Sequence, residues 1–184
     1  MRVCLFCGSK PGSSPVYAQV ARDLGRSCAE RGLGLVYGGG RVGLMGLAAD
    51  AALGAGGEVI GVITEQLVKA EEAHQGLTRL EVVSSLQERK ARMGALAAGF
   101  VILPGGFGTL DECSEMLTWN QMGLLAGPVV LLDVDGFWSG LLAWADRALQ
   151  EGFLSETHRG LAQQASNVSE ALDLASAPSA LAPG

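Results

Sequence analysis

The sequence predicts an α/β fold, a doubly wound parallel sheet covered by helices on both faces. Two observations carry this. Short, nearly unbroken runs of Val, Ile, Leu and Phe alternate with longer stretches of helical periodicity, as expected of parallel strands buried on both sides. Three of the runs end in glycine clusters, after Cys7, Tyr37 and Leu103, and sheets of this class bind ligands at the carboxyl ends of their strands.

The elements follow in order. Residues 2–7 (RVCLFC) read as a buried strand closed by Gly8-Ser9. Pro15 opens a helix that runs to about Arg31, with Gly32 as its stop. Residues 33–37 (LGLVY) form the second strand, 43–55 a helix closed by Gly56-Gly57, and 59–63 (VIGVI) the third strand. Residues 64–79 are polar and irregular and read as a long loop with one helical turn. Strand four is expected at 80–84 (LEVVS), a helix at 86–98 and strand five at 100–103 (FVIL). A helix is expected from Leu110 to Met122, strand six at 129–133, a helix at 137–151 and a short last one at 169–175. The Ala/Ser/Pro-rich residues 176–184 read as a disordered tail.

The chain has 184 residues and a mass of 19.0 kDa, enough for one domain with its own core. A charged share of 17% against 48% hydrophobic residues excludes disorder. The net charge of −6 argues against general binding of nucleic-acid phosphates. The only lysines are Lys10, Lys69 and Lys90. The N-terminal apolar run is too short for a signal-peptide core and no stretch is long enough to span a membrane, so a cytoplasmic protein is expected. Cys4 and Cys7 have C-x-x-C spacing, but on a strand they point to opposite faces. With Cys28 and Cys113 they are expected to be buried free thiols, and no metal site is expected.

Residues 104–112 (PGGFGTLDE) lie between a buried strand and a helix. Glycines there let backbone N–H groups converge, and the helix N-terminus adds partial positive charge, which suits a phosphate. A competing account makes Thr109 an N-cap and Glu112 its capping-box partner. That explains those two residues but leaves Gly105, Gly106 and Gly108 without a role. On the preceding helix, at ~100° per residue from Leu86, Met93 and Ala97 fall within about 20° of the origin. Arg89 lies about 60° to one side and Lys90 about 40° to the other, both inside the apolar stripe. Inward cations need a partner, and an anionic ligand or Asp111 and Glu112 would serve. Past the glycine loop, Leu110, Cys113 and Leu117 make one apolar stripe, while Glu112, Glu115, Trp119 and Met122 share another side. That mixture suits the rim of a site at a subunit interface. Residues 38–43 match G-x-G-x-x-G, but after the second strand and with no separate substrate domain a nicotinamide enzyme is disfavoured.

Together, residues 37–40 (YGGG), 43–46 (GLMG), 88–91 (ERKA) and 104–112 resemble the LONELY GUY (LOG) family, cytokinin riboside 5′-monophosphate phosphoribohydrolases, from Val3 to about Phe153. The resemblance implies a single nucleotide-binding, Rossmann-like domain over residues 1–175, a homodimer with active sites near the interface, and no cofactor. It implies hydrolysis of the N-glycosidic bond of N6-modified AMP, releasing the free base and ribose 5-phosphate. Arg89 and Glu112 would be the catalytic pair. Gly105, Gly106, Phe107, Gly108 and Thr109 would hold the 5′-phosphate, and Lys90, Glu71, Thr118, Gly39 and Gly40 would be further substrate contacts. Leu86-Gln87 stands where the family often has Met-His, and Thr64 where it often has Pro. Some relatives carry a lysine-decarboxylase label, which no lysine here supports. Two other readings stay open at this point: a phosphoribohydrolase for ordinary nucleoside monophosphates such as AMP, and a non-catalytic nucleotide-binding module.

Overall fold

Every apolar run pairs side by side with another. The computed structural model describes residues 1–70 and 73–178. Its strands are β1 (Arg2–Phe6), β2 (Gly34–Tyr37), β3 (Val59–Thr64), β4 (Arg79–Val83), β5 (Gly99–Ile102), β6 (Val129–Leu132) and β7 (Ala162–Ala165). They form one sheet in the order β4-β3-β2-β1-β5-β6-β7, parallel at every pairing. The helices are α1 (Pro15–Glu30), α2 (Gly43–Gly54), α3 (Glu65–Ala70), α4 (Leu86–Leu96), α5 (Phe107–Gln121), α6 (Ser139–Gln150), α7 (Glu156–Arg159) and α8 (Val168–Ala175).

Strand alternation divides the core in two. On one face Val3, Leu5 and Cys7 pack with Leu24 of α1, Ala48 of α2 and Leu172 of α8. On the other, Cys4, Phe6 and Phe100 pack with Met93 of α4, Met116 of α5 and Leu142 of α6. Cys4 and Cys7 thus face opposite ways, and all four cysteines are buried and free. α1 and α2 meet backbone to backbone: a Cβ on Gly25 would lie 2.0 Å from the Ala48 carbonyl oxygen. Ser14, Ser85 and Asn167 cap α1, α4 and α8.

The structure departs from the sequence expectations at several elements, the unforeseen α7 among them. Residues 65–70 form α3, started by Thr64, whose hydroxyl accepts from the Leu67 N–H at 3.3 Å. Residues 162–165 (AQQA) form the edge strand β7 although they carry no β-branched or aromatic side chain. Pairing with β6 makes them a strand, and Gln164 donates to Asp133 at 2.9 Å. α5 begins at Phe107, three residues before Leu110, and its buried stripe is Thr109, Cys113, Met116 and Asn120, with Leu110 and Leu117 half-buried. Residues 179–184 of the expected tail lie outside the described residues. Among the described residues no helix is long and apolar enough to cross a membrane.

Candidate active site

The chain adds β2, β3 and β4 on one side of β1, then returns to place β5 on the other. At such a reversal the connections leave in opposite directions and open a crevice above the strand ends. The crevice here has a volume of about 450 Å³. Its walls are the β1 loop (residues 8–12) and the β5 loop with the first turn of α5 (residues 104–109). Arg89, Glu112, Tyr17 and Phe137 complete it, with Leu44 and Met45 from the start of α2.

The β5 loop is held from below. The Gly8 N–H donates to the Pro104 carbonyl at 3.0 Å, and a Cβ on Gly105 would stand 2.1 Å from Thr109 Oγ1. Gly106 is the residue before α5, and no side chain caps the helix. Thr109 lies inside the first turn, so the capping-box account of Thr109 and Glu112 fails: both belong to the helix proper. A Cβ on Gly106 or on Gly108 would meet nothing within 4 Å. Packing therefore does not demand these glycines, and their bare backbone leaves the N-terminal N–H groups of α5 open to an approaching anion. Phe107 projects from the lip with 93% of its surface exposed.

Arg89 points inward from α4, as its place in the stripe predicts, and is buried. Its Nε donates to the Val62 carbonyl at 3.0 Å and its Nη2 to the Gly38 carbonyl at 3.1 Å. Its Nη1 lies 3.5 Å from Glu112 Oε1. The guanidinium thus rests on the carboxyl ends of β2 and β3 and faces a carboxylate from α5. Burial pushes the Cys4 and Cys7 thiols well above their ordinary range, and the negative charge of Glu112 adds to the rise. Both thiols stay protonated beneath the site.

The structure brings together Gly105, Gly106, Phe107, Gly108, Thr109, Arg89 and Glu112. Four other sequence candidates lie outside the crevice lining. Lys90 Nζ sits 2.9 Å from Asp111 Oδ2 and 2.5 Å from Glu115 Oε2. The Thr118 hydroxyl donates to the Ser114 carbonyl at 2.8 Å. Gly39 accepts from the His74 N–H at 3.0 Å, and Gly40 bridges to Ala73. Glu71 lies outside the described residues. Sequence reasoning missed Lys10, Tyr17 and Phe137. The glycine cluster after Cys7 marks the loop that carries Lys10, but no local signal ties Tyr17 to Phe137, whose rings stand 6.2 Å apart, edge to face. Among the described residues no group of three or more His, Cys, Asp or Glu is placed to hold a metal ion.

The uncapped N-terminus of α5 at one end and the buried Arg89 guanidinium facing the partly buried Glu112 carboxylate at the other could receive an anionic ligand. A cationic transition state beside the carboxylate would be stabilised there.

A family model described as "Possible lysine decarboxylase" matches residues 45–175. A cytokinin riboside 5′-monophosphate phosphoribohydrolase of Arabidopsis thaliana is 43% identical over 173 residues, 94% of this chain and 81% of that protein. A probable cytokinin riboside 5′-monophosphate phosphoribohydrolase of Oryza sativa subsp. japonica is 46% identical over 160 residues, 87% of this chain and 70% of that protein. Among solved structures, the molybdenum cofactor carrier protein of Chlamydomonas reinhardtii matches with a TM-score of 0.71 at 23% identity, covering 94% of this chain and 93% of that one. At that identity the likeness concerns the fold alone.

Proposed function

This chain belongs to the LONELY GUY (LOG) family of cytokinin riboside 5′-monophosphate phosphoribohydrolases, and on that premise we propose that its crevice hydrolyses the N-glycosidic bond of N6-modified AMP. The products are the free base and ribose 5-phosphate. The observation that carries the assignment to this crevice is the Arg89–Glu112 pair beside the uncapped start of α5.

The 5′-phosphate is received by the backbone of Gly105, Gly106, Phe107, Gly108 and Thr109, where the α5 dipole favours negative charge. Seating the phosphate there brings the ribose toward Glu112, one turn further along α5. As the bond to the base breaks, positive charge develops on the ribose, and the Glu112 carboxylate stabilises it or activates the attacking water. Arg89, anchored to two strand-end carbonyls, orients Glu112 and offers a positive charge to the departing base. Thr118, Gly39, Gly40 and Glu71 are assigned as further contacts on the family resemblance, whereas Lys90 is engaged by Asp111 and Glu115 outside the crevice lining.

We further propose that the protein is a homodimer. Met122 and Leu124, at and just beyond the C-terminal end of α5, are 64% and 68% exposed, and a second copy covering them would lie next to Thr118. Sedimentation at several concentrations tests this; a monomer throughout would overturn it.

The test of function is incubation with a panel of nucleoside monophosphates, scoring free base and ribose 5-phosphate. Base release is expected, fastest from prenylated AMP. The matching riboside without phosphate is expected to turn over far more slowly. Equal turnover of the two would remove the phosphate role of the β5 loop, and no release from any monophosphate would leave only nucleotide binding.

A further inference from the structure

Lys90 follows Arg89 on α4, yet it has turned away from the crevice. Its side chain is only 11% exposed, with the ammonium between Asp111 and Glu115 of α5. Those carboxylates stand one residue before Glu112 and three after it. α4 and α5 are therefore joined by two sets of opposite charges. Arg89 and Glu112 face the crevice, and Lys90 with its two carboxylates lies outside it.

The two sets are unlike in geometry. Arg89 and Glu112 are 3.5 Å apart, beyond the ~2.7–2.9 Å of a charge-assisted hydrogen bond. Arg89 is anchored to the sheet through Val62 and Gly38 rather than to α5. Glu112 rides on α5, so its distance from Arg89 changes with how α5 is held against α4. At the far end of α4, Gly94 lies against Trp119, Leu125 and Met116 of the facing segment. At the catalytic end Lys90 makes the close polar contacts. Glu115 is 23% exposed and Asp111 63%, so Glu115 is the more sheltered and less screened partner. Burial opposes the Lys90 charge more than any single contact favours it, but the close contacts with Glu115 and Asp111 together hold its pKa above the ordinary lysine range. Lys90 also offsets carboxylates that would otherwise repel a phosphate at the start of α5.

We propose that Glu115, acting through Lys90, is a positioning residue for the hydrolysis: it locks α5 against α4 so that Glu112 is held at working distance from Arg89. This rests on the reading of Arg89 and Glu112 as the catalytic pair.

The experiment compares wild type, Glu115→Gln, Lys90→Met and the double variant in steady-state hydrolysis of a nucleoside monophosphate, with thermal unfolding of each. Each single change is expected to lower kcat about tenfold with KM within about twofold, and the double to be no worse than the single changes. Lys90→Arg is expected to recover most of kcat, since a guanidinium can span both carboxylates. A purely structural link would lower Tm and leave kcat of the folded enzyme unchanged, which overturns the proposal. So would a raised KM with normal kcat in Lys90→Met beside a neutral Glu115→Gln, which assigns Lys90 to the substrate instead. If a variant does not fold, Asp111→Asn tests the same link at its exposed end, and a full loss of kcat there would contradict the leading role of Glu115. An inactive wild type defeats the functional reading and this proposal together; an active wild type with either contrary pattern defeats this proposal alone.

Discussion

Gly38 is a glycine because Arg89 lies against it: a Cβ there would stand 2.1 Å from Nη2. Gly38→Ala is therefore expected to displace the guanidinium from both strand-end carbonyls. The cost is ~1–3 kcal/mol of stability for the overpacked site and a fall in kcat of about tenfold or more. Denaturant unfolding and steady-state kinetics read the two effects, and normal kcat would show that Arg89 tolerates the shift. Glu112→Gln keeps the shape of the side chain and removes its charge. A fall in kcat of about 100-fold is expected, with substrate binding less affected. Near-normal kcat would take Glu112 out of the chemistry. Arg89→Ala is expected to cost rate as well, and the double variant to fall short of the product of the two single effects, because the residues act as one pair. The cysteines behave differently. Burial pushes the Cys28 and Cys113 thiols up to about 12, and Cys4 and Cys7 are raised too. A thiol reagent is expected to find none of the four in the native protein and all of them after unfolding; fast native labelling would contradict their burial.

At the scale of elements, charged side chains clasp strands to their neighbours. Arg92 of α4 donates to Glu81 of β4 at 2.6 Å, and Arg2 of β1 donates to Glu58, just before β3, at 2.7 Å. Those hydrogen bonds hold both carboxyls below their ordinary range. A depressed folded pKa contributes stability that is present above the unfolded value, about 4.3 for Glu, and is lost as pH falls through the folded value. Tm is thus expected to drop below about pH 4, and Glu81→Gln to flatten part of that drop. An unchanged acid limb in the variant would show the clasp to be idle. At alkaline pH the sign reverses for Lys90. Its raised pKa gives stability that is full below the unfolded lysine value and lost as pH climbs through the folded one.

Which of these elements the sequence announces depends on where their stabilisation originates. β1, β2, β3, β5 and β6 are apolar but for Arg2 at the start of β1 and Thr64 at the end of β3, and betray themselves. β7 is Ala162-Gln163-Gln164-Ala165, and only its partner β6 makes it a strand. The α5 start is misread by three residues because Gly108 disfavours helix locally, while the uncapped turn is held by Gly8 and Thr109 through the β5 loop. The inward cations Arg89 and Lys90 were legible from helical spacing, but not that one would face the crevice and the other a pair of carboxylates.

At the scale of the whole molecule, the crevice exists because β1 sits between β2 and β5. The order of β1 to β6 and of the long helices between them, the glycine loop before α5 and the inward face of α4 are properties of short windows, set by side-chain periodicity and glycine placement, and the sequence by itself determined them. Family membership follows from the same windows. The tertiary structure alone decided that Val62, Gly38 and Glu112 converge on Arg89, and that Tyr17 meets Phe137 across the crevice. These partners come from different strands and helices, up to 120 residues apart in the chain. Their meeting depends on the path taken by every intervening crossover, and no local pattern encodes that path.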